Sequence, residues 1–452
     1  MEIKLDENFE IEIIDMGENG EGIGKVDGFT IFVDGGIVGD KVKVKLIKKK
    51  KHYGMGKIIK LIDGSNHRVD PKCPHAFVCG GCQVQHMNYD QQLVQKTNHV
   101  DACIKRIGKQ EGYELAPIIG MESPYHYRNK GQYPVGMSHS KDIQIGFYKT
   151  KTHHIVDIDQ CFIQDENNNA IINTLKTALK DLGVSIYEEK RHQGVLRHIM
   201  LRNTKAGKWM VVFVTNGPRF EEAQVLTNLL IEKHPEVVSV IQNMNKARGN
   251  RVLGYENKIL FGAGTIEDSI GDLKFELSPL SFFQVNPIQT DVLYKQALTF
   301  AELKGDETVV DVYCGIGTIS LFLAQQAKKV VGVEIVDVAI EDAKANAKRN
   351  NLNNTEFHTG KAEEVLPKLY EKGLRADVVV VDPPRKGCEQ VVLETIANMN
   401  PERIVYVSCK PSTLARDLKI LSDLGYKTEK VQPVDMFPHT MHIESVCLLK
   451  AQ

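Results

Sequence analysis

The alternation of apolar and polar residues changes character along the chain. Residues 1–62 read as short strands separated by glycine turns, and KVKVKL, from residue 41, alternates strictly between lysine and apolar side chains. Residues 120–265 are also mostly strand-like. From about residue 268, fully apolar runs alternate with amphipathic helices, which is typical of a parallel sheet covered on both faces. The pattern therefore predicts three segments: a small closed barrel of the OB type over 1–62, a β-rich central domain over 63–267 and an α/β domain over 268–452.

Composition places the chain among ordinary globular proteins, because 42% of its 452 residues are hydrophobic and 25% are charged. No run of eighteen apolar residues occurs, and the start MEIKLDENFE is acidic, unlike a signal peptide. We expect a soluble cytoplasmic protein with no membrane association.

Charge is distributed unevenly although the net charge is −1. Residues 1–40 carry eleven acidic and two basic side chains, whereas residues 41–60 carry nine lysines and no acid. Lys41, Lys43 and Lys45 share one face of the alternating strand. A locally basic surface on a near-neutral protein indicates nucleic-acid binding, with an ordinary solvated lysine face as the alternative.

Four of the nine cysteines suggest a ligand set. Cys73, Cys79 and Cys82 have the spacing C-x5-C-x2-C, and Cys161 lies far along the chain. In a reducing compartment, clustered cysteines indicate metal binding or catalysis. Four thiolates can hold zinc or an iron–sulfur cluster, and CGGC can also be a redox dithiol, so the spacing leaves these possibilities open.

The α/β segment carries the elements of a nucleoside-binding site at the ends of its predicted strands. Gly315 and Gly317 permit a tight turn and a close approach of the backbone to a ligand. Glu334 ends the next strand, where a carboxylate can accept hydrogen bonds from ribose hydroxyls, and Asp382 ends another strand. Ser320 stands where a dinucleotide fingerprint has its third glycine, so the pattern favours S-adenosylmethionine over a dinucleotide.

Cys409, in RIVYVSCKPSTLARD, is the predicted nucleophile of a methyl transfer to uracil. C5 of uracil is a poor nucleophile until a thiolate adds to C6, and covalent catalysis of this kind divides a difficult reaction into easier steps. A base must then remove the C5 proton. Glu444 is the candidate, because a partly desolvated carboxylate is more basic. Cys388 is a rival nucleophile, and His439 and His442 are alternative bases.

Six stretches resemble the RNA uracil-5-methyltransferase family, which modifies bacterial 23S rRNA and tRNA: SPLSFFQVN, DVYCGIGTISL, GVEIV, VDPPRKG, YVSCKPSTLARDL and FPHTMHIESV. Residues 1–62 resemble a TRAM domain, an RNA-binding module. The resemblance implies a Rossmann-like S-adenosylmethionine-dependent methyltransferase domain, with Cys409 as nucleophile and Glu444 as proton-abstracting base. It also implies four cofactor-binding positions, namely Gln284, Tyr313, Glu334 and Asp382.

The same resemblance chooses among the possible metal centres. The 23S rRNA branch of the family commonly holds a [4Fe–4S] cluster with this cysteine spacing, which implies Cys73, Cys79, Cys82 and Cys161 as ligands. Because uracil methylation needs no electrons, we expect the cluster to have a structural or RNA-positioning role.

Residues that contact the RNA can also be proposed. A uridine must leave the base stack before its C5 can be reached, so the site needs a stacking partner and phosphate contacts. Phe282 is a stacking candidate, and Arg128 and Lys130, in YHYRNKGQYPVG, suit phosphates.

We expect a monomeric enzyme that makes 5-methyluridine in 23S rRNA. A tRNA substrate, a cytosine-5 methyltransferase and a non-catalytic RNA-binding assembly factor are the alternatives.

Overall fold

The computed structural model describes residues 3–452, so the first two residues of the predicted N-terminal domain lie outside the described part. Its first sheet contains six strands: β1 (Asn8–Glu12), β2 (Asp15–Met16), β3 (Gly22–Val26), β4 (Phe29–Asp34), β5 (Lys41–Lys49) and β6 (Tyr53–Asp63). The strand order is β1-β5-β6-β4-β3-β2. Alternate residues of β5, such as Val42 and Val44, are buried against Ile11 and Ile31, which explains the alternation of KVKVKL.

The expected closure of this barrel is not observed. Within residues 3–452, no ladder pairs β1 with β2, the two strands at the ends of the sheet. Both belong to one continuous stretch of chain, since β1 pairs with β5 and β2 with β3. The two edge strands are therefore connected by the short segment of chain between β1 and β2, where we predicted a ladder of hydrogen bonds.

The next sheet has seven strands: β8 (Lys130–Met137), β9 (Ile143–Tyr148), β10 (Ile155–Asp157), β11 (Leu196–Asn203), β12 (Trp209–Thr215), β13 (Val237–Met244) and β14 (Glu256–Gly262). Helices α2 (Glu166–Asp181) and α3 (Ala223–Lys233) cover one face. The side chains of β12 explain its unbroken apolar sequence: Val211 and Phe213 pack with these helices, while Met210 and Val212 join the core of the C-terminal region on the other face.

The C-terminal region is built on an eight-stranded sheet. Its strands are β7 (Glu114–Leu115), β17 (Thr308–Val312), β18 (Lys329–Glu334), β19 (Thr355–Thr359), β20 (Val378–Val381), β21 (Arg403–Ser408), β22 (Tyr426–Val434) and β23 (Glu444–Ala451). The strand order is β19-β18-β17-β20-β21-β23-β22-β7. A hairpin of β15 (Ile266–Ile270) and β16 (Leu273–Leu277) precedes this region. The helices are α4 (Pro287–Ala301), α5 (Thr318–Ala324), α6 (Asp337–Arg349), α7 (Ala362–Glu371), α8 (Gln390–Met399) and α9 (Pro411–Asp423).

The topology of this sheet confirms the predicted α/β fold and fixes the place of the site. Strands β17 to β21 run parallel, so their carboxyl ends lie at one edge of the sheet. Strand β23 is antiparallel to β21 and begins at that same edge.

One helix from the predicted central domain is attached to the C-terminal sheet. Helix α1 (Tyr89–Arg106) begins at Asn88, whose side chain accepts a hydrogen bond from the Gln91 backbone N–H. Val100 and Ile104 of α1 lie in the same core as α8 and α9, and β7, downstream of α1, pairs in parallel with β22. None of the helices within residues 3–452 is long and apolar enough to cross a membrane.

Candidate active site

A cavity of about 1340 Å³ opens at the carboxyl edge of the C-terminal sheet and extends to the central sheet. Its walls bring together most of the residues that the sequence predicts for function. The predicted catalytic, cofactor and cluster residues that line it are Cys409, Glu444, Gln284, Tyr313, Gly315, Glu334, Asp382, Cys73, Cys79, Cys82 and Cys161. Parallel strands place ligands beyond their carboxyl ends, so this cavity is the expected site for a nucleoside ligand.

The turn after β17 has the backbone shape that its glycines predict. Gly315 and Gly317 have φ of +54° and +82°, in the left-handed region that favours glycine. Gly317 lies behind the cavity wall, where a Cβ atom would stand 3.2 Å from the Cβ of Ala343. Tyr313 also has a positive φ, +74°, which turns the chain immediately after the strand. The turn therefore exposes its backbone to the cavity while packing against α6.

Glu334 is held at the end of β18 beside this turn. Its Oε2 accepts a hydrogen bond of 3.2 Å from the Gly315 N–H, and its Oε1 accepts one of 2.9 Å from the Val336 N–H. Each carboxylate oxygen retains lone pairs for further donors. This geometry suits the predicted contact with ribose hydroxyls.

A residue that the sequence reasoning passed over supports the same turn from beneath. Asp311 of β17 is fully buried, and its Oδ2 accepts a hydrogen bond of 2.5 Å from the Ser320 hydroxyl. Burial raises the pKa of Asp311 to about 7. The signal was present in the sequence, because Ser320 occupies the missing glycine position and a buried carboxylate needs such a donor.

Cys409 and Glu444 meet through strand register. Ser408, the last residue of β21, lies directly opposite Ser445 of β23. Cys409 follows Ser408 and Glu444 precedes Ser445, so the two are brought together at the same edge. Residues opposite each other on antiparallel strands have neighbouring side chains. The predicted nucleophile and the predicted base are therefore adjacent although 34 residues separate them.

The electrostatics of this corner favour neutral groups in the free protein. Burial raises the pKa of Glu444 well above its ordinary value, and the neighbouring Asp382 raises it further. Burial and the charge of Asp311 raise the pKa of Asp382 to about 7. Burial, Glu444 and Asp382 raise the pKa of the Cys409 thiol to about 11, against the opposing effect of the Arg385 guanidinium. A raised carboxyl pKa suits a base that must accept a proton near neutral pH.

The rival residues are placed differently. Cys388 is buried with its Sγ 3.7 Å from the Tyr406 hydroxyl, and it is not among the cavity-lining residues. His439 is also buried away from the cavity lining, and its Nδ1 lies 3.3 Å from the Gln92 amide nitrogen. His442 is exposed and lines the cavity, so it is the alternative base that the geometry retains.

The four predicted ligand cysteines also line the cavity, and their part of the lining is called the cysteine wall. The Gln85 amide connects two of them, because its Nε2 donates to Cys82 Sγ at 3.4 Å and its Oε1 accepts from the Cys73 N–H at 3.2 Å. Burial raises the pKa of Cys79 to about 11 and that of Cys82 to about 12, and nearby cysteines add to both shifts. All nine cysteines are free thiols.

The side chains of this cysteine wall do not form a metal site in the part of the chain that the structure describes. Among residues 3–452, no three His, Cys, Asp or Glu side chains are arranged as ligands of one ion. The chemistry of the donors nevertheless suits a sulfur-bound group, because four thiols converge on one wall. The cluster therefore remains a prediction.

The aromatic and cationic candidates for RNA contact all line the cavity. Phe282 is 69% exposed, whereas Phe283 is buried against Phe275, so the pair divides between the cavity and the core. Arg128 and Lys130 also line the cavity.

Lys130 lies among other cations. It stands directly opposite Arg202 in the ladder between β8 and β11. Burial, Arg202 and Arg128 lower the pKa of Lys130 to about 7. Like charges placed opposite each other in a sheet are unfavourable, so an anion bound here would relieve the repulsion.

Lys41, Lys43 and Lys45 lie outside the cavity on β5. Lys41 and Lys43 stand opposite Glu12 and Glu10 of β1. The acidic start of the chain thus lies beside the basic strand and moderates its charge, which the sequence pattern alone did not indicate.

Known proteins resemble this chain over nearly its whole length. The profile of the tRNA (uracil-5-)-methyltransferase family matches residues 88–452, and that of the TRAM domain matches residues 7–59. An RNA methyltransferase of Clostridium tetani is 53% identical over 99% of this chain and 97% of its own, and one of Halalkalibacterium halodurans is 50% identical over 98% and 96%.

A solved structure agrees with these matches. The tRNA (uracil-54, C5)-methyltransferase of Pyrococcus abyssi, in complex with S-adenosyl-L-homocysteine, has a TM-score of 0.79 and 28% identity. The likeness covers 98% of this chain and all of the Pyrococcus chain.

Proposed function

The chain belongs to the tRNA (uracil-5-)-methyltransferase family and carries a TRAM domain, and from this premise we propose that it methylates C5 of a uridine in 23S rRNA. The observation that carries the reaction is the register of β21 and β23, which puts a thiol and a carboxyl side by side at the edge of the sheet. S-adenosylmethionine is the methyl donor of the family, and the turn after β17, with Tyr313, Gln284, Glu334 and Asp382, would hold it.

In the proposed reaction the Cys409 thiolate bonds to C6 of the uracil, and the electron pair of the C5=C6 bond moves toward C5. The nucleophilic C5 takes the methyl group, which S-adenosylmethionine would supply as its S–CH3 bond breaks and its sulfonium becomes a neutral thioether. Glu444 then accepts the proton from C5, the electron pair re-forms the C5=C6 bond, and the Cys409 thiolate leaves C6. The thiolate that adds to C6 is released again at the end, and this chain supplies both the nucleophile and the base.

Cys409 must lose its proton to solvent before this reaction can begin, and Glu444, whose pKa is raised by burial, must be ionised before it can accept the C5 proton. With the thiol pKa raised to about 11, the thiolate is a small fraction at neutral pH. A cationic donor bound nearby would favour the thiolate, because an opposite charge stabilises the ionised form. We therefore propose that cofactor binding precedes attack on the uracil.

We further propose roles for the remaining predicted residues. Phe282 would stack on the extruded base, and Arg128 and Lys130 would contact flanking phosphates, consistent with their position in the cavity wall. Lys41, Lys43 and Lys45 would contact more distant phosphates. The cysteine wall would hold a [4Fe–4S] cluster, with no part in the bond changes described above.

A tRNA substrate is the second candidate, and the likeness to the Pyrococcus abyssi enzyme favours it. The cysteine wall and the TRAM domain favour 23S rRNA through the family resemblance. We expect the protein to work as a monomer in the cytoplasm.

The decisive experiment gives the purified protein methyl-labelled cofactor together with unmodified 23S rRNA or unmodified tRNA, followed by nucleoside analysis and mapping. We expect labelled 5-methyluridine at a discrete position in 23S rRNA and none with Cys409→Ala. Labelled 5-methyluridine in tRNA alone would select the second candidate. Labelled 5-methylcytidine, or no product with either RNA, would contradict the proposed activity.

A further inference from the structure

The loop between β22 and β23 is anchored to other parts of the protein at five consecutive residues, Asp435 to His439. Four backbone carbonyls of the loop accept hydrogen bonds from side chains: Asp435 O from Gln289 Nε2 at 3.1 Å, Met436 O from Asn286 Nδ2 at 3.0 Å, Phe437 O from Lys96 Nζ at 3.1 Å and Pro438 O from the Tyr127 hydroxyl at 3.0 Å. The fifth anchor is the His439 N–H, which donates to Gln92 Oε1 at 2.9 Å. This loop leads directly into Glu444.

At the start of the loop lies an ion pair with no solvent exposure on either side chain. Lys96 Nζ of α1 donates to Asp435 Oδ1 at 2.5 Å. The other oxygen of Asp435, Oδ2, accepts a hydrogen bond of 2.7 Å from the Tyr89 hydroxyl, also on α1. The two charged groups come from positions 339 residues apart in the chain.

The same face of α1 also binds His439, the last of the five anchored loop residues. Gln92 lies one turn before Lys96, and besides accepting from the His439 N–H it donates to Val84 O and Met87 O. The His439 carbonyl accepts from the N–H groups of Gln83 and Val84, at 3.0 and 3.1 Å. His439 itself has a φ of +66°, a conformation that a non-glycine residue keeps only when its surroundings impose it.

The carboxyl group of Glu444 is held much less. It is buried, and its Oε2 has no hydrogen-bond partner among the described residues. Its backbone is fixed by pairing with Val434, the residue immediately before Asp435. The direction of the Glu444 side chain therefore depends on how the anchored loop and its flanking strands are held, rather than on contacts of the carboxyl itself.

From this arrangement we propose that Lys96, through its buried pair with Asp435, is a positioning residue that aligns the Glu444 carboxyl for removal of the C5 proton. The inference rests on the proposed function, in which Glu444 is that base. A buried pair adds little net stability compared with apolar residues of the same volume, so its use in fixing one geometry is the better explanation here. A displacement of about 1 Å in a catalytic group can slow a reaction about a hundredfold.

The step affected is the last one of the cycle. Methyl transfer needs Cys409 at C6 and leaves C5 with both a methyl group and its proton. The C5–H bond then breaks, its proton passes to Glu444, and its electron pair forms the C5=C6 bond as the thiolate leaves. A misplaced base therefore slows proton release after the methyl group has already moved.

The test compares these two events in one turnover. RNA carrying tritium at C5 of uridine is mixed with excess enzyme and labelled methyl donor, and methyl incorporation and tritium release are followed together. For Lys96→Met/Asp435→Asn, which removes both buried charges, we expect methyl incorporation to be within about threefold of wild type per folded molecule. Tritium release should lag at least about tenfold, and a methylated protein–RNA adduct should accumulate on denaturing gels.

A control breaks another ion pair, whose side chains do not line the cavity. Arg68 contacts Asp40, which is fully buried, in the N-terminal region. Arg68→Met should lower stability, yet methyl incorporation and tritium release should stay in step. Loss of folded protein reduces both events equally, so a purely structural effect cannot change their ratio.

The outcomes separate this inference from the function on which it rests. One outcome would overturn the positioning role and leave Glu444 as the base. In it, Glu444→Gln stalls as a methylated adduct, whereas Lys96→Met/Asp435→Asn releases tritium as fast as it incorporates methyl groups. In-step release by Glu444→Gln would overturn the assignment of the base, and the positioning role with it. A lag in the Lys96→Met/Asp435→Asn variant and none in Arg68→Met is the result that we expect.

Discussion

The cavity has two thiol-bearing walls that differ in what surrounds the sulfur atoms. On one wall Cys409 lies beside Glu444 and Asp382, and its pKa is raised to about 11. On the other wall the pKa values of Cys79 and Cys82 are raised to about 11 and about 12, but their electrostatic neighbours are other cysteines. A raised thiol pKa therefore does not separate a nucleophile from a metal ligand. The neighbouring groups do, because a carboxyl can exchange protons whereas grouped thiolates require a cation.

The largest effect should follow from removing the thiol of the first wall. Cys409→Ala should lower the rate of methyl transfer at least about a thousandfold, because the variant lacks the thiol that is proposed to bond to C6. RNA affinity, measured by filter binding, should stay within about threefold of wild type. Cys388→Ala is the control, since Cys388 is the buried rival thiol, and it should retain most of the activity. Substantial methyl transfer by Cys409→Ala would show that the thiol of the first wall is not the nucleophile.

Removing thiols from the second wall should lower the stability of the protein more than it lowers the rate of methyl transfer. Cys79→Ala/Cys82→Ala, purified without oxygen, should contain no iron and should unfold at least about 2 °C lower, the shift expected for roughly 2 kcal/mol in a chain of this length. The single-turnover methylation rate of the remaining folded protein should change far less than in Cys409→Ala. Cys103→Ala, which removes a buried cysteine elsewhere, should keep its iron. Stoichiometric zinc without iron in the wild-type protein would contradict the iron–sulfur assignment.

The pH dependence of thiol alkylation sharpens the comparison. Because burial, Glu444 and Asp382 raise the pKa of Cys409 to about 11, the thiolate fraction should keep rising from pH 7 to pH 10. The iodoacetamide rate at Cys409, followed by peptide mass spectrometry, should therefore rise about tenfold per pH unit over that range. Glu444→Gln removes a neighbouring negative charge and should shift the profile to lower pH. An alkylation rate that stops rising below pH 9 would contradict the raised pKa of Cys409.

The smallest effect should come from the N-terminal sheet, outside both walls. Neutralising Lys41, Lys43 and Lys45 with Gln should weaken binding of long RNA and flatten its salt dependence by about 0.7–0.9 for each phosphate that the lysines no longer neutralise. The cross-strand acids Glu10 and Glu12 already offset part of this charge, so a severalfold decrease in affinity is expected. Changing Lys344, Lys368 and Lys372, three exposed lysines of the C-terminal region, to Gln provides a charge-matched control. An unchanged salt slope would leave the lysine strand as ordinary solvated surface.

The sequence predicted those parts of the site that depend on local pattern. Gly315, Glu334, Asp382 and Cys409 each follow an apolar strand, and parallel strands bring such positions to one edge of a sheet. The convergence of Cys161 with the C-x5-C-x2-C segment came from the resemblance, and the structure places all four cysteines on one wall.

What the sequence could not show depends on contacts between distant segments. Lys96 lies in an amphipathic helix and Asp435 follows a strand, and neither has a local feature that predicts their pairing across 339 residues. The packing of α1 on the C-terminal core was missed for the same reason. The absence of a ladder between β1 and β2 was also missed, because the pairing of these two short strands with β5 and β3 leaves no mark in the local pattern.

The most direct test of the central claim is the fate of Glu444→Gln on RNA. Glutamine keeps the shape of the side chain but cannot accept the C5 proton, so elimination of the Cys409 thiolate should stop. We expect one methyl group per enzyme and a covalent protein–RNA adduct that survives denaturing electrophoresis, carries the label and disappears in Cys409→Ala/Glu444→Gln. Normal turnover by Glu444→Gln, or the absence of a methylated adduct despite binding of RNA and methyl donor, would contradict the account and direct attention to His442.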